Sequence, residues 1–201
     1  MTDDLVEKAR NSVFQKIGRN VCNLQKVEGL MKFLVVSHSG AYGTVNEMKA
    51  RMRKLEESLT KKSMGMVAKE MFESVFGEPE NIEAPVNLKG SRLSVKHSIE
   101  MDKETVEILE QALLCVIEER NNLIHHSVAK NDLKTIVGCR KFADELEVQN
   151  ERIKSMHLTL NGFAKSTIEA RKTLAAFKET EEFLVLFEGA GAEENESSPP
   201  N

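Results

Sequence analysis

The sequence predicts an all-α fold, an up-and-down bundle of about five helices with a long C-terminal helical region. Aromatic residues make up 5% of the chain, there is no Trp, and there are only 4 Pro residues. This composition, rich in Leu, Glu, Lys and Met, favours helices over a β-sandwich or a barrel. Apolar residues also recur at spacings of three, four and seven, which is the pattern of helices that bury one face.

Three helices are predicted in the first 80 residues. An apolar stripe indicates one long amphipathic helix over residues 3–37, and turn-forming residues follow it. Thr44 or Asn46 can cap a second helix over about 45–59, and Ser63 can cap a third over about 64–76.

Residues 82–101 alternate apolar and polar side chains, which predicts a small extended or hairpin excursion between helices. Asp102 is a cap for a fourth helix, which we expect to end within 127–131. A long helical region should begin at Asn131 or Asp132, with a break or kink at Asn161-Gly162.

The residues up to 188 are predicted to form a single helical domain, and residues 189–201 a disordered acidic tail. The beginning of the chain does not resemble a secretory signal, and its longest apolar run is far shorter than the roughly 20 residues of a membrane span. We therefore expect a cytoplasmic protein that does not enter membranes. The three Cys residues lack CxxC spacing, which predicts free thiols and no zinc site, with Cys22 and Cys115 on apolar helix faces.

The second helix carries a basic outer face. Its cations are Lys49, Arg51, Arg53 and Lys54, followed by Lys61 and Lys62. A solvated surface balanced by nearby Glu residues is one interpretation, because charge runs on helices are usually solvated. A surface that contacts phosphate groups is the other.

A polar stretch near the end of the fourth helix interrupts its apolar stripe. The sequence there is Glu118-Glu119-Arg120-Asn121-Asn122-Leu123-Ile124-His125-His126. At about 100° per residue, Arg120 falls between Ile117 and Ile124 on the apolar face, with Asn121 at its edge. A cation at a core-facing position is costly unless it is paired or serves a site.

These residue types suit the cleavage of a phosphodiester without a metal ion or cofactor. The Arg120 guanidinium can bind phosphate oxygens, and the His125 imidazole can move protons near neutral pH. In RNA the 2′-hydroxyl supplies the nucleophile. The two residues are about 140° apart on an ideal helix, so they converge through the long Arg side chain, through fraying, or across a symmetric dimer.

The segment from Arg120 to His125 matches the R-x4-H motif of the HEPN superfamily, including a polar residue after the Arg. The longer polar stretch, with Lys62-Ser63-Met64-Gly65 opening an earlier helix, is similar to a group of uncharacterised bacterial HEPN-like proteins. The resemblance covers residues 45–160. It implies a helical homodimer in which the motif helices of two protomers form a composite cleft.

Many members of that superfamily are metal-independent endoribonucleases of toxin–antitoxin, abortive-infection and other defence systems. The resemblance implies that Arg120 and His125 are catalytic, that Asn121 supports them, and that an antitoxin or regulatory protein is a partner. It gives His126 no role. The alternative is a non-enzymatic helical dimerisation or binding module, in which Arg120 makes a structural salt bridge.

Overall fold

Five long helices, one short helix and two short strands form the described part of the protein. A computed structural model describes residues 2–77, 93–95 and 98–183. In chain order the elements are α1 (Thr2–His38), β1 (Ala41–Gly43), α2 (Val45–Thr60), α3 (Met64–Val75), β2 (Leu93–Val95), α4 (Lys103–His125), α5 (Ser127–Lys130) and α6 (Ile136–Phe177). The all-α prediction is confirmed. The predicted tail, 189–201, lies outside the described residues.

The predicted helix caps set most of the boundaries. Thr44 and Glu47 form a reciprocal capping box at the beginning of α2, Ser63 accepts the Met66 N–H of α3, and Asp102 accepts the Thr105 N–H of α4 at 2.8 Å. Each cap satisfies an N–H group that has no partner inside the helix.

Two boundaries differ from the prediction. Helix α4 ends at His125, and α5 follows as a separate turn. Helix α6 begins at Ile136 rather than at residue 131 or 132, because the Asp132 carboxylate binds the Lys134 N–H and the Thr135 hydroxyl in a turn. Thr135 Oγ1 accepts the Gly138 N–H at 3.1 Å. Thr135 is therefore the N-cap residue of α6.

The described strand of the predicted excursion pairs with a distant segment. Leu93–Val95 runs antiparallel to Ala41–Gly43, with Tyr42 opposite Ser94. The extended conformation is therefore confirmed at these three residues, although their partner is the segment after α1. Most of the remaining excursion, 82–92 and 96–97, lies outside the described residues.

Contacts between helices fix the helix directions within residues 1–162. The Ile99 N–H donates to the Val75 carbonyl at 2.9 Å, and a Cβ on Gly65 would lie 4.0 Å from Ile117 Cγ2, so α3 and α4 are antiparallel. Contacts at successive turns make α1 and α6 parallel. The core of this unit is supplied mainly by α1, α3, α4 and α6, and its largest fully buried apolar side chains include Met31, Leu34, Leu59, Met71, Leu113, Leu146, Ile153 and Leu160.

A polar layer crosses this apolar core. Asn20 of α1 is fully buried, and its Nδ2 donates to the Leu146 carbonyl at 2.8 Å and to Gln149 Oε1 at 2.9 Å. Gln149 Nε2 donates in turn to the Glu119 carbonyl of α4 at 3.3 Å. One amide chain therefore connects α1, α6 and α4, and it fixes their relative register because a shift of one turn would leave buried polar groups unpaired.

The chain divides into two compact units, residues 1–162 and 163–201. Helix α6 continues without interruption through Asn161 and Gly162, so of the predicted break or kink the break is wrong. A single Gly costs about 1 kcal/mol in a helix, which the strong helix formers on either side offset. In the second unit, the Thr167 hydroxyl donates to the Phe163 carbonyl one turn earlier.

Replacing Asn20 with Ala should lower the free energy of unfolding by about 1–3 kcal/mol, because the Leu146 carbonyl and Gln149 lose a buried donor. Urea unfolding followed by circular dichroism measures this. Asn11→Ala is the matched control, since Asn11 is exposed on the same helix and its replacement should change stability by less than about 0.5 kcal/mol. Equal effects of the two substitutions would contradict the role given to the polar layer.

A second prediction concerns the salt bridge between α1 and α6. Hydrogen bonds from Arg19 and Lys16 lower the pKa of the Glu147 carboxyl from its ordinary value to about 2. A depressed pKa in the folded state means that this stabilisation is present above about pH 4.5 and is lost as the pH falls toward about 2. The difference in melting temperature between the natural chain and Glu147→Gln should therefore be present at pH 7 and shrink below pH 4.5. A difference that stays constant over this range would argue against the pairing.

Candidate functional site

Helix α4 buries one face over its first four turns. Leu109, Leu113, Val116 and Ile117 are all less than a tenth exposed. By helical geometry Arg120 falls at the middle of this face, as the sequence predicts. Arg120 therefore places a cation at the position where the next apolar residue of the stripe would lie.

The packing of α4 changes after Ile117. Because Gly65, the second residue of α3, lies beside Ile117, the following turn of α4 extends past the beginning of α3. Ile124 is 46% exposed and Leu123 is buried instead, so the predicted inward position of Ile124 is wrong. Asn121, which the sequence places at the edge of the apolar face, is exposed.

Glu119 is the acidic residue of this segment that forms an ion pair, a role that the sequence did not predict. Its carboxylate pairs with the Arg152 guanidinium of α6, and this hydrogen bond raises the pKa of Arg152. The Glu119 side chain is 19% exposed, and its Oε2 has no hydrogen-bond partner in the described residues. The pair could not be found from sequence, because it depends on how two segments more than 30 residues apart are aligned.

Arg120 is partly exposed and keeps its charge available. Its Nη1 donates to Oδ1 of Asn121 at 3.1 Å. No acidic side chain in the described ranges pairs with it, since Glu119 faces Arg152 instead. The structural salt bridge of the alternative hypothesis thus does not form within this part of the chain.

The two histidines lie at the end of α4. His125 is its last residue, and the His126 N–H donates to the Asn122 carbonyl at 2.9 Å. Both side chains are exposed, with ring centroids 6.1 Å apart. No hydrogen bond joins His125 to Arg120 among the described contacts, and the two lie about 140° apart around the helix.

The arrangement can bind an anion at Arg120, and it places an accessible imidazole on the next turn. Asn121 can orient the guanidinium through its side-chain oxygen. The three motif residues are thus all accessible to solvent, and a second protomer or a bound substrate could bring Arg120 and His125 onto one phosphate.

The basic face of α2 is exposed along most of its length. Lys49, Arg53, Lys54 and Lys61 are exposed, whereas Lys62 pairs with Glu70 of α3 at 2.5 Å. Because α3 begins beside Ile117, the turn that holds Lys61 and Lys62 lies at the same end of the bundle as Arg120. Exposure alone fits both interpretations of this face.

The described residues include other His, Cys, Asp and Glu side chains outside the motif. Among them, no three His, Cys, Asp or Glu side chains are close enough together to hold a metal ion. The three thiols are free, but Cys22 and Cys115 are exposed, so their predicted apolar positions are wrong. None of the helices described has the length and apolar character that crossing a membrane requires.

Comparison of the chain with protein-family models, with curated proteins and with solved structures finds no significant match. The resemblance to the HEPN superfamily thus rests on the residues of the motif and on their place in the fold.

Glu119 and Arg120 are neighbours in different environments, so their replacement should change the stability of the protein by different amounts. Glu119→Ala should lower the free energy of unfolding by about 1–3 kcal/mol, because it removes the partner of Arg152 between two helices. Arg120→Ala should change stability by less than about 0.5 kcal/mol, because Arg120 has no ion pair within the described chain. Urea denaturation of both variants measures this. A loss in Arg120→Ala as large as that in Glu119→Ala would make Arg120 a structural residue.

Proposed function

We propose that this protein is a metal-independent endoribonuclease that acts as a homodimer through Arg120 and His125. The observation that carries the proposal is the partly exposed Arg120 guanidinium, which has no carboxylate partner in the described residues, although Glu119 precedes it directly. An unpaired cation at a core-facing helix position does not stabilise the fold, so its presence favours a role in binding.

In the proposed reaction the 2′-hydroxyl oxygen of RNA attacks the adjacent phosphorus, and the bond to the 5′-oxygen of the next nucleotide breaks. The proton of the 2′-hydroxyl is removed, and the leaving 5′-oxygen gains one, with His125 moving protons. Arg120 binds the phosphate oxygens, on which charge builds up in the transition state. The products are a 2′,3′-cyclic phosphate and a 5′-hydroxyl, so atoms and charge balance without a metal ion.

Two further features support this proposal. Asn121 contacts Arg120 at 3.1 Å and can hold the guanidinium for a substrate. The exposed cations of α2, including Lys61 at the same end of the bundle, offer a path for the RNA backbone.

The separation of Arg120 and His125 around one helix favours a cleft in which a second protomer supplies part of the site. A cytoplasmic defence or toxin–antitoxin role, with an antitoxin or regulatory partner, is part of the proposal.

A binding module without activity is the second candidate. The observation that favours it is a set of exposed apolar side chains on α4, at Ile108, Leu114 and Ile124. Such side chains suit contact with another protein whether or not the site is active. For the endoribonuclease, Arg120→Ala should lower the rate of RNA cleavage. For the binding module, the same substitution should change only the affinity for another protein.

The purified protein should cleave single-stranded RNA in the presence of EDTA. Arg120→Ala should reduce the rate about 10²–10³-fold and His125→Ala about 10²–10⁴-fold, because each group acts on the transition state. Gel electrophoresis of labelled RNA measures cleavage, and mass spectrometry identifies the cyclic phosphate.

The controls use the same chain and the same RNA. His126→Ala should leave the rate unchanged, and RNA methylated at every 2′-oxygen should resist cleavage because it lacks the nucleophile. If the well-folded dimer cleaves none of the RNAs tested, the endoribonuclease proposal fails and the binding module takes its place. If both motif variants cleave normally, Arg120 and His125 are not the catalytic residues and the proposed site fails.

A further inference from the structure

A cavity of about 220 Å³ lies between the parallel helices α1 and α6, beyond the polar layer. Its walls are Asn23 and Lys26 from α1 and Lys154, His157 and Leu158 from α6. All lie in the first unit of the chain, so the cavity is complete within residues 1–162. We name it the seam cavity.

The polar groups that line the seam cavity are mainly donors. Two Lys residues and one His residue line it together with Asn23 and Leu158, and no Asp or Glu residue does. Lys26 donates to Asn23 Oδ1 at 3.3 Å, and Lys154 pairs with Glu151 at 2.9 Å in an exposed bond between side chains three residues apart. Such an exposed pair is weak, so Lys154 can exchange Glu151 for another anion.

The His157 side chain is partly exposed and has no hydrogen-bond partner among the described residues. A neutral imidazole carries one donor, and a protonated one carries two. A group with acceptor oxygens that enters the cavity therefore meets cations from both helices and a ring that can donate to it.

The lining residue Asn23 is held by a buried residue of α6. Asn150 is fully buried, and its Oδ1 accepts the Asn23 Nδ2–H at 3.0 Å. Its own Nδ2 has no acceptor in the part of the chain that the structure describes. Asn150 precedes Lys154 by four residues and His157 by seven, so the three side chains share one side of α6. The hydrogen bond between Asn23 and Asn150 therefore joins the α1 side of the cavity to the side of α6 that carries Lys154 and His157.

We propose that the seam cavity binds a phosphate group, carried either by a small phosphorylated molecule or by the backbone of RNA. Lys26, Lys154 and His157 supply the charge and the donors, and Asn23 supplies a neutral amide. Helix α4 packs through Gln149 and Arg152 on a different side of α6, so this site is separate from Arg120. It does not depend on the proposed nuclease activity.

The test uses NMR of the imidazole Hε1 protons of the full chain during titration with inorganic phosphate and with pyrophosphate. A resonance assigned to His157 by its loss in His157→Gln should shift and saturate. Lys26→Ala and Lys154→Ala should each weaken binding at least about tenfold, because each removes a cation from the cavity.

Lys172→Ala is the matched control for Lys154→Ala. Lys172 also lies on α6, is exposed, and pairs with a Glu three residues earlier at 2.8 Å, but it does not line the cavity. It should bind phosphate as the natural chain does. A His157 shift that does not saturate, or equal affinities in the Lys154 and Lys172 variants, would mean that no such site exists.

A second titration distinguishes the two sources of the phosphate group. Short RNA methylated at every 2′-oxygen should shift the His157 resonance, and lose at least about tenfold in affinity in Lys154→Ala, if the ligand is the RNA backbone. If inorganic phosphate saturates the site while this RNA leaves His157 unchanged, the ligand is a small phosphorylated molecule. Cleavage by Arg120 and His125 is measured separately, so either proposal can fail alone.

Discussion

The amide chain from Asn20 through Gln149 to the Glu119 carbonyl determines the register in which α1, α6 and α4 pack. Apolar faces alone allow helices to slide by a turn at little cost, whereas buried amides are satisfied in only one register. This register brings Arg152 of α6 opposite Glu119. Because neighbouring helix residues point about 100° apart, the same alignment directs Arg120 away from Arg152. Arg120 lies on the core-facing side of α4, in the turn that extends past the beginning of α3.

Charge is therefore distributed unevenly in a chain whose formal net charge is −4. Several carboxylates are held by cations of neighbouring helices, such as Glu147 by Arg19, Glu119 by Arg152 and Glu70 by Lys62. Arg120 and the seam cavity are places where positive charge is less compensated. An acidic protein can thus offer two separate surfaces to anions, because what a ligand meets is the local field rather than the total.

Local signals predicted much of the fold. Thr44, Ser63 and Asp102 were predicted as caps because a cap depends on a few adjacent residues, and all three caps form. The position of Arg120 on the core-facing side of α4 also follows from helical period alone. These features need no knowledge of what the helix packs against.

Features that depend on distant segments could not be predicted. The exposure of Ile124 results from where α3 begins, and the pairing of Leu93–Val95 joins residues about 50 positions apart. The Glu119–Arg152 pair and the seam cavity depend on the register between helices, which the sequence of either helix does not contain. The candidate pair Arg120 and His125 was found only because both residues lie within one helix. The way a second protomer could complete their site has no signal in the sequence.

The last turn of α4 has a consequence for how the motif moves. Arg120 belongs to a turn that the amide chain and the Glu119–Arg152 bond hold in place, whereas His125 lies at the helix end, just before the separate turn α5. Helix ends open locally at a much smaller free-energy cost than packed interior turns. The motif thus combines an Arg on a packed turn with a His at a helix end, so local opening of that end would change the distance between the two side chains.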